Sequence, residues 1–291
     1  MGKESGLDYF QLIEDLEKYI IDKPVSKEIL RYKFSQDFFP MRIAVLSDWH
    51  WGNECCFYDK ARAVVNLIKK NNWWWVGLGD LLENALIDSP GGPYDQIASP
   101  NKQFIEVVEL LKPIASKCLG IASGNHEDRT RRKSGIKLSL LLAHYLGIPE
   151  KYCGYSLCMV INKSFPKSGN ASFRIIGHHG TGGGRTKGGK ANLFTRLAEI
   201  YPTADLYIIG HTHQQAYWAD RCFDFDTGNG IMRAIERQYY MAGSFLEYFN
   251  SYAEMGMKPP ASPKFLVLEL DAKRVYSPKK NIVKSIKGDY I

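Results

Sequence analysis

The chain has 291 residues, 45% hydrophobic and 24% charged, a balance that allows a sizeable buried core and excludes a disordered or fibrous protein. Its longest apolar runs, such as residues 73–78 and 138–143, are far too short to make a membrane-spanning helix, and its six cysteines form no C-x-x-C pair, which points to reduced thiols. The net charge of +7 is modest, but basic residues gather at Arg129, Arg131, Arg132, Lys133 and Lys137, at Arg185, Lys187 and Lys190, and again over residues 273–287, as a polyanionic partner would require.

The first 40 residues read as an appendage. Phe10, Ile13, Leu16 and Ile20 fall at helical spacing and Pro24 ends the pattern, so a cap or a homodimer contact is expected there. The acidic segment 11–22 lacks the layout of a signal peptide, and a cytoplasmic location is expected. From Met41 the texture changes to short β-rich runs separated by helices. Strands are expected at 42–47, 73–77, 117–122, 206–209 and 264–270, and helices at 59–70, 101–114, 137–146 and 191–200. Residues 155–161 and 172–177 read as a hairpin across a Pro-Lys-Ser-Gly-Asn turn. The organisation expected is an N-terminal helical appendage (1–40), one large domain (41–275) and a basic C-terminal tail (276–291). The three consecutive tryptophans, Trp73, Trp74 and Trp75, lie in an expected strand and read as core packing.

Five segments place His, Asp or Asn just beyond a hydrophobic strand, where a loop presents side chains at the strand's carboxyl end. They are Asp48-Trp49-His50, Gly79-Asp80-Leu81-Leu82-Glu83, Gly124-Asn125-His126-Glu127, His178-His179-Gly180 and Gly210-His211-Thr212-His213. Six of the seven histidines fall in them, with only His144 elsewhere, on an apolar helix. Such a concentration of imidazole and carboxylate suits a first-row divalent metal. Gly184 to Lys190 has the Gly-x-x-x-x-Gly-Lys spacing of a phosphate-binding loop, but Ala191 stands where Ser or Thr would hold Mg²⁺. A basic, glycine-rich lip over the metal site is the better reading.

In their order and spacing these five blocks resemble the calcineurin-like metallophosphoesterases, over roughly residues 41–270. The resemblance is extended, more softly, to compact phage and prokaryotic members by the Gly-Asn-His-Glu-x-Arg run. It implies an α/β (α+β) fold, a four-layer sandwich of two mixed β-sheets flanked by helices, with a dinuclear metal site at the strand ends. Carried over, Asp48, His50 and His213 hold one metal, Asn125, His179 and His211 a second, and Asp80 bridges them. His179 is selected over His178 because the family's ligand precedes Gly, and His178 stays the alternative. The resemblance also implies two divalent cations, with manganese expected and Fe, Zn, Ni or Mg alternatives, which lower the pKa of a bridging water so that hydroxide attacks the phosphorus. His126 resembles the residue that stabilises or protonates the leaving oxygen. Glu83 and Glu127 are expected to orient metal-bound groups. Arg129, with Arg185, Lys187 and Lys190, is expected to bind substrate phosphate.

The substrate expected is a phosphodiester in DNA, RNA or a nucleotide, which would make the protein a nuclease or phosphodiesterase with no membrane partner. A phosphomonoesterase is the alternative enzyme, and a metal-bound scaffold without catalysis the alternative from another class. Residues 245–263, rich in Tyr, Met and Pro, are expected to shape the substrate mouth.

Overall fold

The structure is a computed structural model that describes residues 27–89, 93–166, 170–182, 186–228, 230–255, 257, 259–260, 262–275 and 281–291. The helix expected over 7–21 lies outside these residues. Eleven strands form two mixed sheets among the described residues. The five-stranded sheet has the order β11-β10-β2-β3-β4, from β2 (Met41–Leu46), β3 (Trp74–Gly77), β4 (Cys118–Ile121), β10 (Leu266–Val275) and β11 (Asn281–Tyr290). The six-stranded sheet has the order β1-β5-β6-β7-β9-β8, from β1 (Leu30–Phe34), β5 (Ser156–Ser164), β6 (Asn170–His178), β7 (Leu206–Ile209), β8 (Gln215–Asp226) and β9 (Ile231–Ala242).

Both faces of the central strands are buried, so these strands read as continuous apolar runs rather than alternating ones. Ile43 and Val45 of β2 point between the sheets, where they join Val76, Leu119, Ile161, Phe173 and Ile208 in the inter-sheet core. Ala44 and Leu46 point the other way, onto helices α1 (Tyr58–Asn71), α2 (Pro100–Leu111) and α4 (Leu138–Tyr145). Each such fully buried Ile, Leu or Val contributes about 1.5–3 kcal/mol. Helix α1 buries Ala61, Val64, Val65 and Ile68, an i, i+3, i+4, i+7 stripe, and stops at Asn72, whose φ of 55° is left-handed. On the outer face of the six-stranded sheet, Leu193, Phe194 and Leu197 of α5 (Lys187–Ile200) cover Tyr207, Ile209 and Tyr239. The result is the four-layer sandwich expected from the sequence, with two mixed sheets flanked by helices.

Trp75 is fully buried, while Trp74 packs against Phe34 at 4.9 Å between ring centroids, so the tryptophan run belongs to the core. The six cysteines are unpaired. The hairpin expected around residue 166 is present, with Ser164 opposite Asn170. Several elements fall differently from expectation. Helix α2 ends at Leu111 and gives way to a 3-10 turn over Lys112–Lys117, because Pro113 has no N–H to continue the ladder. Helix α5 starts at Lys187, since Thr186 accepts a hydrogen bond from Gly189 N at 3.1 Å and caps it there. Residues 30–34, counted with the appendage, pair in parallel with β5 as an edge strand. Residues 276–291, expected as a tail, contain β11, which pairs with β10 from Leu266↔Tyr290 to Val275↔Asn281.

No helix among the described residues is long and apolar enough to cross a membrane.

Candidate metal centre

Strands β2, β3 and β4 run parallel to one another, as do β6 and β7 in the other sheet, and the loop after each carries one of the five motifs. The loop after β2 supplies Asp48 and His50, that after β3 supplies Asp80, and helix α3 (Asn125–Ser134), which follows β4, starts on Asn125. The other sheet supplies His179 after β6 and His211 and His213 after β7. A close approach of backbones makes this convergence possible. A Cβ on Gly79, whose φ is 84°, would sit 2.1 Å from Gly124 N, and one on Gly124 would sit 2.2 Å from Asp80 Oδ1. Only glycine fits either place.

Three sets of side chains each bring their ligand-type atoms within 4.8 Å of one another: Asp48, His50 and His213; Asp80, His179 and His211; and His50, Asp80 and His126. Asp80 belongs to two of them. His50 Nε2 lies 3.1 Å from His213 Nε2, and His213 Nε2 lies 3.3 Å from Asp48 Oδ1. His179 Nε2 lies 3.0 Å from Asp80 Oδ2 and 2.9 Å from Asn125 Oδ1. The far nitrogens are held from behind. His50 Nδ1 is 3.1 Å from Glu83 Oε2, and His179 Nδ1 donates to Leu78 O at 2.7 Å, so Nε2 is the atom each ring turns to the cluster. His178 points elsewhere: its Nδ1 accepts from Gly180 N at 2.8 Å and the ring lines a separate cavity beside Leu193 and Leu197.

The backbone here is strained. Asp48, His50, Asp80, Asn84, His211 and His213 all have φ between 44° and 60°, in the left-handed region where only Asp, Asn and His among the larger side chains are at all common.

Burial and mutual charge set the protonation of these groups before any metal arrives. Burial favours the neutral form of Asp80, but His179, His126 and His50 together overcome it and hold its carboxyl well below the usual range. Burial would lower His179, yet Asp80, with Asp48 and Glu127, pushes it up to about 10. Burial, reinforced by His126 and His213, drives His50 well down. Burial pushes Glu83 up to about 8, against the Arg129 guanidinium, and brings His126 down to about 4.

His126 stands at the edge of the cluster, its ring centroid 4.4 Å from that of His50 and its Nε2 3.8 Å from Asp80 Oδ2. Its Nδ1 donates to Glu83 O at 2.6 Å, and its Nε2 accepts from Arg129 Nη2 at 2.9 Å. Arg129 is therefore turned inward, with Nη1 donating to Glu83 O at 3.0 Å. Glu127 takes its hydrogen bonds from backbone N–H groups, that of Asp80 among them. Its Oε1 accepts from Leu81 N (2.8 Å) and Leu82 N (3.2 Å), and its Oε2 from Asp80 N (2.9 Å) and Gly124 N (3.0 Å), so it pins the two glycine loops together. Lys190 Nζ reaches Thr212 O at 3.4 Å, between the two histidines of the last motif. Arg185 and the side chain of Lys187 lie outside the described residues.

Sequence reasoning missed Asn84. Fully buried, it donates from Nδ2 to His126 O (2.5 Å) and from its backbone N–H to Gln103 Oε1 (2.8 Å). Its one sequence signal was a polar residue directly after Glu83. The basic run on α3 is also less bare than its sequence suggests. Arg131 and Arg132 both pair with Asp128, and Lys133 pairs with Asp88 at 2.5 Å.

A donor set of imidazoles, carboxylates and one carboxamide, with His50 and His179 anchored from behind, fits divalent metal ions. The architecture and this cluster together define a metal-binding α/β sandwich of the phosphoesterase class. Residues 41–215 match the sequence profile of the calcineurin-like phosphoesterases, and the chain belongs to that family. Metal-dependent hydrolysis of a phosphoester is the activity this membership supports. No curated protein matches the sequence significantly. Among solved structures, the chain is similar to Vacuolar Protein Sorting 29 from Cryptosporidium parvum, with 12% identity, a TM-score of 0.41, and coverage of 86% of this chain and 98% of that one. It is also similar to the calcineurin-like phosphoesterase YfkN from Bacillus subtilis, with 14% identity, a TM-score of 0.41, and coverage of 86% and 90%. Similarities this distant say nothing of substrate.

Proposed function

We propose that the protein hydrolyses a phosphodiester in a nucleic acid or nucleotide at a two-metal centre. The observation that carries this reading is a pair of ligand sets, Asp48 with His50 and His213 and Asp80 with His179 and His211, joined by a third in which His50 and Asp80 meet His126. Asp48, His50 and His213 would hold one divalent cation, Asn125, His179 and His211 the other, with Asp80 between; Mn²⁺ is the first choice. Bound there, the metals supply charge to the phosphate oxygens and an activated water at neutral pH.

The chain's own residues do the rest. Glu83 and the Leu78 carbonyl keep the Nε2 atoms of His50 and His179 aimed at the cluster. The Glu127 carboxylate holds the Asp80 loop against Gly124, which fixes the shared carboxylate. His126, neutral while buried, presents Nε2 as an acceptor and must gain a proton there before it can give one to a leaving oxygen. An anionic phosphate beside the ring favours that gain, and it also draws the Arg129 donors away from Nε2. The net charge of +7, with Arg129 against His126 and Lys190 against Thr212, supports a polyanionic substrate.

The test is hydrolysis of bis-p-nitrophenyl phosphate, p-nitrophenyl phosphate and labelled single- and double-stranded DNA by Mn²⁺-loaded protein, beside His126→Ala. Cleavage of diester or DNA, reduced in the variant by about 10²–10⁴-fold with metal content unchanged, is expected. Turnover of the monoester alone would replace this reading with a phosphomonoesterase, and silence with every metal would leave a metal-bound scaffold.

A further inference from the structure

Directly after the last metal motif the chain builds a second feature, of which the phosphate chemistry uses only Lys190. A cavity of about 830 Å³ opens between the first turns of α5, the start of β8 and the segment after β9. That is within the range of roughly 300–1,000 Å³ typical of small-ligand sites. Its walls include Phe194, Tyr217, Trp218 and Tyr248, and its polar groups include Lys190 and Gln214.

The cavity adjoins the metal centre through covalent and hydrogen-bonded links. Gln214 is the residue after His213, and Lys190 Nζ lies 3.4 Å from the carbonyl of Thr212, between His211 and His213. Hydrogen bonds tie the outer wall to the start of β8: Gln214 Nε2 donates to Pro259 O (3.0 Å), and Gln215 Nε2 donates to Ser262 O (2.9 Å) and Lys264 O (3.0 Å). Trp218 is 58% exposed, and it also lines a neighbouring cavity of about 510 Å³. The indole thus borders open space on two sides where a core tryptophan would be packed.

These walls do not suit the phosphate itself, which needs charge and hydrogen-bond donors. They suit the uncharged group esterified to it. Large exposed ring faces favour a planar partner, a carboxamide at the edge offers both a donor and an acceptor, and a lysine on the metal side offsets a phosphate's charge.

We infer that this cavity receives a nucleobase of the substrate, stacked on Trp218, while the phosphate lies over the metal centre. The inference deepens the phosphodiesterase reading and rests on it for the position of the phosphate.

The experiment measures binding without turnover. Calorimetric titrations of Mn²⁺-loaded protein with adenosine 5′-monophosphate, ribose 5-phosphate and dodecyl phosphate separate the base from the phosphate and from an alkyl chain. The nucleotide is expected to bind about tenfold or more tightly than ribose 5-phosphate, from the usual strength of base stacking. Trp218→Ala should close most of that gap and Trp218→Phe should keep part of it, with both variants melting as the parent does. The inference is overturned if the nucleotide and the sugar phosphate bind alike or not at all, if the gap survives Trp218→Ala, or if dodecyl phosphate alone gains. The two readings fail separately: a preserved gap with no hydrolysis of any ester removes the enzyme reading and keeps the pocket, and diester hydrolysis without a gap does the reverse.

Discussion

A single carboxylate can do the structural work of a whole turn. Glu127 accepts four backbone N–H groups from two loops, and every one of those donors is buried with it. Replacement by Gln keeps one carbonyl oxygen but turns an NH₂ toward donors that cannot accept from it. Each donor left unsatisfied costs about 1–3 kcal/mol. Glu127→Gln is therefore expected to lower the melting temperature and also to weaken Mn²⁺ binding by about 10–100-fold, because Asp80 loses its fixed place. Calorimetry on the folded variant checks this, and unchanged metal affinity would contradict the role given to Glu127. Most of the centre is legible at this scale in the sequence, since strand, glycine and ligand-type residue lie within a few positions of each other. The hold of Glu127 on the Asp80 loop and of Arg129 on the Glu83 carbonyl is not, since those partners lie about 45 positions away. Which carbonyl or N–H a long side chain finds is a property of loop packing and not of local pattern.

At the scale of elements, legibility follows burial. The short central strands stand out because both their faces are apolar. Strands β8 and β9 escaped notice because β8 and the first half of β9 are largely exposed and carry charges such as the paired Asp220 and Arg237, 2.7 Å apart, so the pattern has neither a helical nor an alternating period. Strand β11 was hidden by its lysines, one of which has a structural task. Lys284 Nζ reaches Asp205 Oδ1 at 2.6 Å, and Arg174 reaches the same carboxyl at 3.1 Å, so a buried acid ties β11 to β6 and the start of β7. Burial would raise the pKa of Asp205, but Arg174 and Lys284 outweigh it and hold the carboxyl below the usual range. A lowered folded pKa stabilises the fold above the unfolded value of roughly 3.9, and that contribution is lost as pH falls through the folded value. Asp205→Asn is expected to cost about 2–3 kcal/mol near neutral pH, less than a fully buried pair because the two cations are each a third exposed. The difference between parent and variant in urea unfolding should be constant above about pH 5 and shrink below about pH 4. A difference independent of pH would show that the charge is not what Asp205 contributes.

For the molecule as a whole, the centre lies where the two sheets meet, with Asp48, His50, Asp80 and Asn125 from one sheet and His179, His211 and His213 from the other. Metal bound there joins the two halves of the sandwich. Ligand that binds only the folded chain stabilises it by mass action, about 2.7 kcal/mol when free metal is a hundred times its Kd. Thermal unfolding should accordingly shift upward with added Mn²⁺ and downward on chelation, and a His50→Ala chain should lose most of that response. A melting temperature indifferent to metal would argue against a site spanning both sheets. The charge of the whole molecule is also spread differently from its sequence order, since Asp128 and Asp88 pair with the basic residues of α3.

The left-handed backbone at Asp48, His50, Asp80, His211 and His213 sets function against durability. Each such residue holds a conformation that glycine adopts freely, at a cost of order 1 kcal/mol or more, so the metal-free chain is less stable than its composition allows. Selection in the laboratory for heat resistance alone, with metal withheld, should enrich glycine or asparagine at these positions. The hardiest descendants would be those that had discarded the centre.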